Sequence, residues 1–238
     1  MIQEKVSGWD FSVLDSRMTE SELKWDYVKI IDSFIKSDIN LLDLGTGGGE
    51  LLSRFAGKGI NIYATESYTP NIEIAKSRLK KFGAILISDY SDDKLPFEDS
   101  FFDLIINRHE SYNPSEVYRI LKPGGFFITQ QVDGKSELTI NQLLNLKPNE
   151  EFFNWNHASA KDGLINSSFS IIRCDEDTGY TRFTDTEAVL FYIRSVPWQF
   201  RDYKKINFTE TEKQLRVYFS ENEFLDVIKI RFLIIASK

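Results

Sequence analysis

Short apolar runs recur along the first half of the chain: Leu41-Leu42 with Leu44, Ile60 to Thr65, Ala84 to Ile87, Phe101 to Ile106, and Gly125 to Thr129. They are nearly continuous rather than alternating, which is the pattern of parallel strands buried on both faces. Helical periodicity fills the intervals. Trp25 to Ile35 places Tyr27, Ile30, Ile31, Phe34 and Ile35 on one face, with Thr19-x-x-Glu22 as a capping box upstream. Leu51 to Phe55 continues a short helix, and the next opens at Pro70 with Ile72, Ala75, Leu79 and Phe82 on one side. Alternating strands and helices of this kind predict a doubly wound, mostly parallel sheet of α/β class.

The second half breaks that rhythm. Ser170 to Arg173 and Val227 to Ala236 read as two last strands, which brings the expected sheet to seven, without the regular helix between them. Between them lie helices opened by Thr184-x-x-Glu187 and Thr209-x-x-Glu212, separated by the turn Pro197-Trp198. Residues 180–224 hold 11 aromatics in 45 positions, against 14% for the whole chain, so this insertion buries surface or binds something flat. The expected organisation is one domain over 1–238. Within it, 1–38 is a helical flap carrying Trp9, 39–135 the core, and 180–224 a cover for a substrate pocket.

Composition narrows the function classes. With 238 residues, 42% hydrophobic and 27% charged, the chain suits one large globular domain. No apolar run reaches the roughly 18 residues of a membrane span, and the start MIQEKVSGWD lacks a signal-peptide pattern, so the expected compartment is the cytoplasm. The lone Cys174 cannot pair internally, and two His with one Cys leave no plausible zinc set. A formal charge of −7 offers no basic field for phosphate backbones and disfavours nucleic acid.

The chemistry starts at LLDLGTGGGE, residues 41–50, where an apolar strand ends in Asp43 and runs into glycines at 45, 47, 48 and 49. Such a turn lets backbone and ligand approach closely. A dinucleotide fingerprint needs a small residue where Glu50 stands, so that pattern fails. Acid-x-Gly-x-Gly-x-Gly fits instead. Acids or polar groups also end the next strands: Glu66, Asp89, and Asn107 with Arg108. Ligands of open α/β sheets bind at those carboxyl ends.

In this arrangement the chain resembles the class I S-adenosylmethionine-dependent methyltransferases. Leu95 to Ile105 (LPFEDSFFDLI) and Glu116 to Gly125 (EVYRILKPGG) resemble signatures of their small-molecule, type 11 branch, which includes ubiquinone and menaquinone biosynthesis methyltransferases. The likeness covers roughly 40–132 and implies a Rossmann-like methyltransferase fold. It further implies S-adenosylmethionine as donor and S-adenosylhomocysteine as product. On that resemblance Asp43 faces the methionine end beside Gly45, Thr46 and Gly47. Glu66 accepts the ribose hydroxyls; Asp89 takes the adenine amine and the Tyr90 N–H a ring nitrogen; Ser67 and Asn107 complete the cofactor-binding set.

His109, Glu110 and Tyr112 follow the strand at 101–106, where acceptors sit in related folds. His109 is the candidate general base, because imidazole titrates near neutrality. Tyr112, Gln131, Trp198 and Trp9 are candidates for the acceptor pocket. The expected reaction is in-line displacement, with the acceptor attacking the sulfonium methyl and the protein supplying alignment and desolvation. Asn107-Arg108-His109 is not the Asn/Asp-Pro-Pro-Tyr set of amino-methylating nucleic acid enzymes. The competing readings are a non-catalytic cofactor-binding protein, a nicotinamide-dependent oxidoreductase and an RNA methyltransferase. From 133 onward only the two-strand ending is recognisable, and acceptor identity belongs to that stretch.

Overall fold

The computed structural model describes residues 12–238; Trp9 and most of the 1–38 flap's first third lie outside the described residues. Strands are β1 (Met18–Glu20), β2 (Asn40–Leu44), β3 (Asn61–Thr65), β4 (Ile85–Ile87), β5 (Phe102–Arg108), β6 (Leu121–Val132), β7 (Ser170–Phe183) and β8 (Leu225–Ser237). Helices are α1 (Tyr27–Phe34), α2 (Glu50–Ser53), α3 (Thr69–Leu79), α4 (Pro114–Ile120), α5 (Leu138–Leu143), α6 (His157–Asn166), α7 (Thr186–Ser195) and α8 (Phe208–Glu221). The sheet runs β1-β7-β8-β6-β5-β2-β3-β4. All seven expected strands are present, and the described residues add an eighth, the short β1, antiparallel to β7 through Thr19↔Arg182. Thr19, expected in a helix cap, is therefore a strand residue.

The chain divides into two compact units. The larger covers 25–132, 156–176 and 232–238. Its strands β6, β5, β2, β3 and β4 are parallel, and strand order reverses between β2 and β5. Pairings Asp43↔Ala64 and Leu44↔Asn107 align the carboxyl ends of β2, β3 and β5. The core is the apolar runs read from sequence: Leu41, Leu42, Ala64, Leu104, Ile105, Ile106 and Ile128 are all buried. Below them Tyr63, Phe97, Phe101 and Phe102 meet edge to face, with centroids 4.8–6.3 Å apart.

The other unit covers 133–155 and 177–231, together with the chain start through 24. The aromatic insertion belongs to it, and α7 is its centre: Val189, Phe191 and Ile193 pack with Phe183, Leu215 and Val227. Strand β8 departs from an apolar pattern at Lys229 and Arg231, both buried. Lys229 Nζ donates to the Ser21 carbonyl at 2.6 Å and pairs with Glu20, while Arg231 pairs with Glu137 at 3.2 Å. Burial of these charges is tolerated because each has a partner.

Three helix caps differ from the sequence reading, and in each an Asp or Asn takes the place of the expected Thr. The Ncap residues of α1, α7 and α8 are Asp26, Asp185 and Asn207, not Thr19, Thr184 or Thr209. Asp and Asn accept better than Thr at this position, and Asp185 and Asn207 lie within two residues of the Thr they displace. Asp185 accepts from the N–H groups of Glu187 and Ala188 at 2.9 and 3.0 Å and from Arg17 Nε at 2.7 Å. Asp185→Ala should lower stability by about 1–2 kcal/mol, visible as a shifted urea midpoint.

Candidate functional site

The larger unit brings Asp43 and Glu66 together beside the glycine loop. The loop is tied to β3 through one residue: the buried Thr65 hydroxyl accepts from the Gly45 N–H at 3.1 Å, and the Thr65 carbonyl from the Thr46 N–H at 2.8 Å. The Thr65 and Ser67 hydroxyls also reach the Tyr90 phenol oxygen, opposing the burial that pushes this phenol up. Thr65 was not expected; its signal was a polar residue in the last position of an apolar strand.

Two glycines need their freedom. Gly45 lies in the left-handed region (φ +71°), and a Cβ there would overlap the Glu110 side chain. Gly49 (φ +81°) starts α2, and a Cβ would lie 2.9 Å from Leu79 Cγ of α3. Gly49→Ala combines that contact with a strained conformation and should cost about 2–3 kcal/mol, read from urea unfolding. Arg78 reaches from α3 to bind the Gly48 carbonyl and the Glu50 carboxylate. Arg78 is thus a clasp between α3 and the loop.

Asp43 is 2% exposed, and burial lifts its carboxyl from the ordinary 3.8 to about 7; Thr46 and the Arg108 charge oppose this, and Glu66 adds to it. Glu66, equally buried, accepts from the Tyr68 N–H at 2.7 Å and from Asn71 Nδ2 at 3.5 Å. Glu110 is half-buried and raised, first by burial and then by Glu66 and Asp92, against a hydrogen bond from the Ser111 N–H. Asp89 and Ser67 are exposed past the ends of β4 and β3. Four acids therefore act on one another across the loop, and Arg108 is the cation felt by Asp43. Such a field suits a cationic ligand and repels a pyrophosphate.

Asn107 and Gln131 are buried and Tyr112 is half-buried. Asn107 is fully buried: its Nδ2 donates to the Leu44 carbonyl at 3.3 Å, and its Oδ1 accepts from Thr129 at 2.9 Å and from Gln131. Gln131 also donates to the Glu110 carbonyl at 3.0 Å. These amides brace the loop after β5 that carries His109 and Glu110. Tyr112 packs edge-on against Phe127 at 4.9 Å, in an aromatic row with Phe169 and Tyr118. Trp198 belongs to the other unit and is 45% exposed.

His109 leaves β5 in a left-handed conformation (φ +62°), its N–H on the Gln130 carbonyl at 2.9 Å. Its Nε2 lies 3.3 Å from Gln130 Nε2, and Trp25 Nε1 donates to Gln130 Oε1 at 2.8 Å. The indole N–H fixes which end of the Gln130 amide faces His109. The amide then donates to Nε2, which places the proton of a neutral imidazole on Nδ1.

Residues 42–129 match the family model described as a methyltransferase domain. No curated protein sequence matches the chain closely enough to count as a relative. Among solved structures, a Bacillus halodurans protein provisionally classed as a methyltransferase shares 17% identity over 90% of this chain and 98% of its own, with a TM-score of 0.62. The Haemonchus contortus phosphoethanolamine N-methyltransferase 2, solved with phosphomonomethylethanolamine and S-adenosylhomocysteine, shares 18% over 89% of this chain and 52% of its own, with a TM-score of 0.54. The [4+2]-cyclase SpnF shares 15% over 89% and 79%, with a TM-score of 0.57. At these identities the likeness is one of fold, and the cyclase among them illustrates that fold alone does not choose a reaction.

Proposed function

We propose, on the premise that residues 42–129 are a class I S-adenosylmethionine-dependent methyltransferase domain of the type 11 branch, that this chain methylates a small-molecule acceptor. The observation that carries the ligand assignment is the buried Asp43 beside Glu66 and Glu110 on a glycine loop open to close approach. The residues fit the donor. Asp43 would hold the ammonium end, Glu66 the ribose hydroxyls, and Asp89 with the Tyr90 backbone the adenine, while Ser67 supports Tyr90. When bound, the donor supplies an electrophilic methyl group on a sulfonium. Glu110, over Gly45, adds negative potential on the methionine side and is carried on the loop braced by Gln131 and Asn107.

Proton removal falls to His109, held by the Trp25–Gln130 pair. In the neutral ring Nε2 already accepts from Gln130, so a proton taken there displaces that bond. His109→Gln should lower kcat by about 100-fold or more for an acceptor that must lose a proton, with S-adenosylhomocysteine affinity unchanged. An unchanged kcat would remove His109 from the chemistry. The overall reading is tested by thermal stabilisation and product formation. S-adenosylhomocysteine at 100 times its Kd should add about 2.7 kcal/mol. Stabilisation by NAD alone, or no S-adenosylhomocysteine formed with any of a panel of small nucleophiles, would overturn the proposal. Among the described residues no helix is long and apolar enough to cross a membrane.

A further inference from the structure

The second unit carries a feature that the methyl-donor site does not use. Two single 3-10 turns, Pro197–Gln199 and Tyr203–Lys205, follow α7 in succession and border an open surface depression of about 490 Å³. That size falls in the range of small-molecule sites. Its walls are aromatic: Trp198 is 45% exposed, Tyr203 is half-buried, and Phe200, 4% exposed, anchors the segment in the core around α7. Backbone bonds pin the floor, Arg201 N–H to the Lys147 carbonyl at 3.0 Å and Asn149 N–H to the Gln199 carbonyl at 3.0 Å. Gln199 Nε2 adds a bond to Asn141 Oδ1 at 3.0 Å.

The charge around this depression is reversed from that of the chain. The whole sequence is formally −7, yet the lining holds Arg201, Lys204 and Lys205 against the single acid Asp202. Asp202 is engaged by Lys205 at 2.9 Å. Its carboxyl is held below the ordinary range by that bond, and further by Lys147 and Arg201, so the local field is positive even at its one acid. A Lys/Arg-rich helix face would scatter such charges over solvent. Here they rim a concave aromatic surface formed by one short, braced segment.

We propose that the Trp198 depression is a binding site for a small planar anion, an aromatic ring bearing a carboxylate, sulfonate or phosphate, with Trp198 and Tyr203 as ring contacts and Arg201 and Lys204 as counter-charges. Flat aromatic faces recognise flat ligands, and exposed guanidinium and ammonium groups at the rim favour one that is negatively charged. The inference does not depend on methyl transfer; a chain without transferase activity would still bind such a ligand.

The test uses the full chain and 1-anilinonaphthalene-8-sulfonate, with uncharged N-phenyl-1-naphthylamine as the control probe. The sulfonate should bind at one equivalent, with energy transfer from Trp198, and weaken as salt rises. Trp198→Ala and the double change Arg201→Gln with Lys204→Gln should each weaken it roughly tenfold. Both variants alter exposed residues and should unfold at the parent's urea midpoint, which separates lost binding from lost folding. Affinity within twofold of the parent in both variants, or equally tight binding of the uncharged probe, would overturn the proposal. Failure here leaves S-adenosylhomocysteine binding intact, so it is distinguishable from failure of the donor-site reading.

Discussion

Asp43→Asn is expected to be more stable than the parent chain at pH 8 while binding S-adenosylhomocysteine far more weakly. Asp43 is 2% exposed, and burial lifts its carboxyl from 3.8 to about 7. Between about pH 4 and 7 the folded chain therefore holds a proton that the unfolded chain has released. Stability is fully present below the unfolded value, falls as pH rises through this window, and stays reduced above about 7. Asparagine fills the same space without a charge to desolvate. The variant's advantage should be absent near pH 4 and grow to at most about 4 kcal/mol at pH 8, since each pH unit between the two values is worth about 1.4 kcal/mol. Urea unfolding from pH 4 to 8 measures it. If the two chains lose stability in parallel over that range, Asp43 is not a protonated buried acid.

The same group links affinity to pH. An ammonium beside Asp43 favours the ionised carboxylate, so the parent's affinity for S-adenosylhomocysteine should rise toward about pH 7 and then level off. The asparagine variant should show no such rise. The site then carries a stability cost that only a cationic ligand relieves, as expected where a pocket is built for its ligand rather than for the unliganded fold.

Glu66→Ala should reduce S-adenosylhomocysteine affinity by two orders of magnitude or more. Glu66 is held in place before any ligand arrives, by the Tyr68 N–H and Asn71 at the start of α3. A pre-positioned carboxylate accepting two hydroxyls contributes about 1.5–3 kcal/mol per bond, and both bonds are lost together. Because the alanine also strands the Tyr68 N–H, Glu66→Gln is the companion variant. It keeps one acceptor and the volume, and should lose an intermediate amount while staying folded. Isothermal titration calorimetry of both reads the outcome; affinities within threefold of the parent would end the ribose assignment.

The sheet was legible because its strands are continuous apolar runs, whose burial on both faces leaves few alternatives. That Asp43 and Glu66 end adjacent strands was legible, because the ends of strands in a doubly wound sheet are fixed by the apolar runs that precede them. The caps were misread by one or more residues, since a Thr-x-x-Glu pattern says nothing about a stronger Asp or Asn nearby. Short β1 was missed because its pairing partners Arg182 and Thr181 lie more than 160 residues away.

Side-chain direction was the part that local sequence could not carry. Asn107 and Gln131 look ligand-facing at their strand ends, yet their amides turn inward and bond to each other and to the chain around them. Arg78 reaches back from α3 to the glycine loop, 30 residues earlier in the chain. Glu110 sits over Gly45 only because the sheet register sets β5 beside β2. By itself the sequence determined the fold class, the order of the core elements and the donor loop, all consequences of hydrophobic periodicity and of which residues tolerate a tight turn. The tertiary structure decided which polar groups share a space. That choice depends on distances between residues far apart in the chain, and it alone turned scattered acids into one electrostatic site.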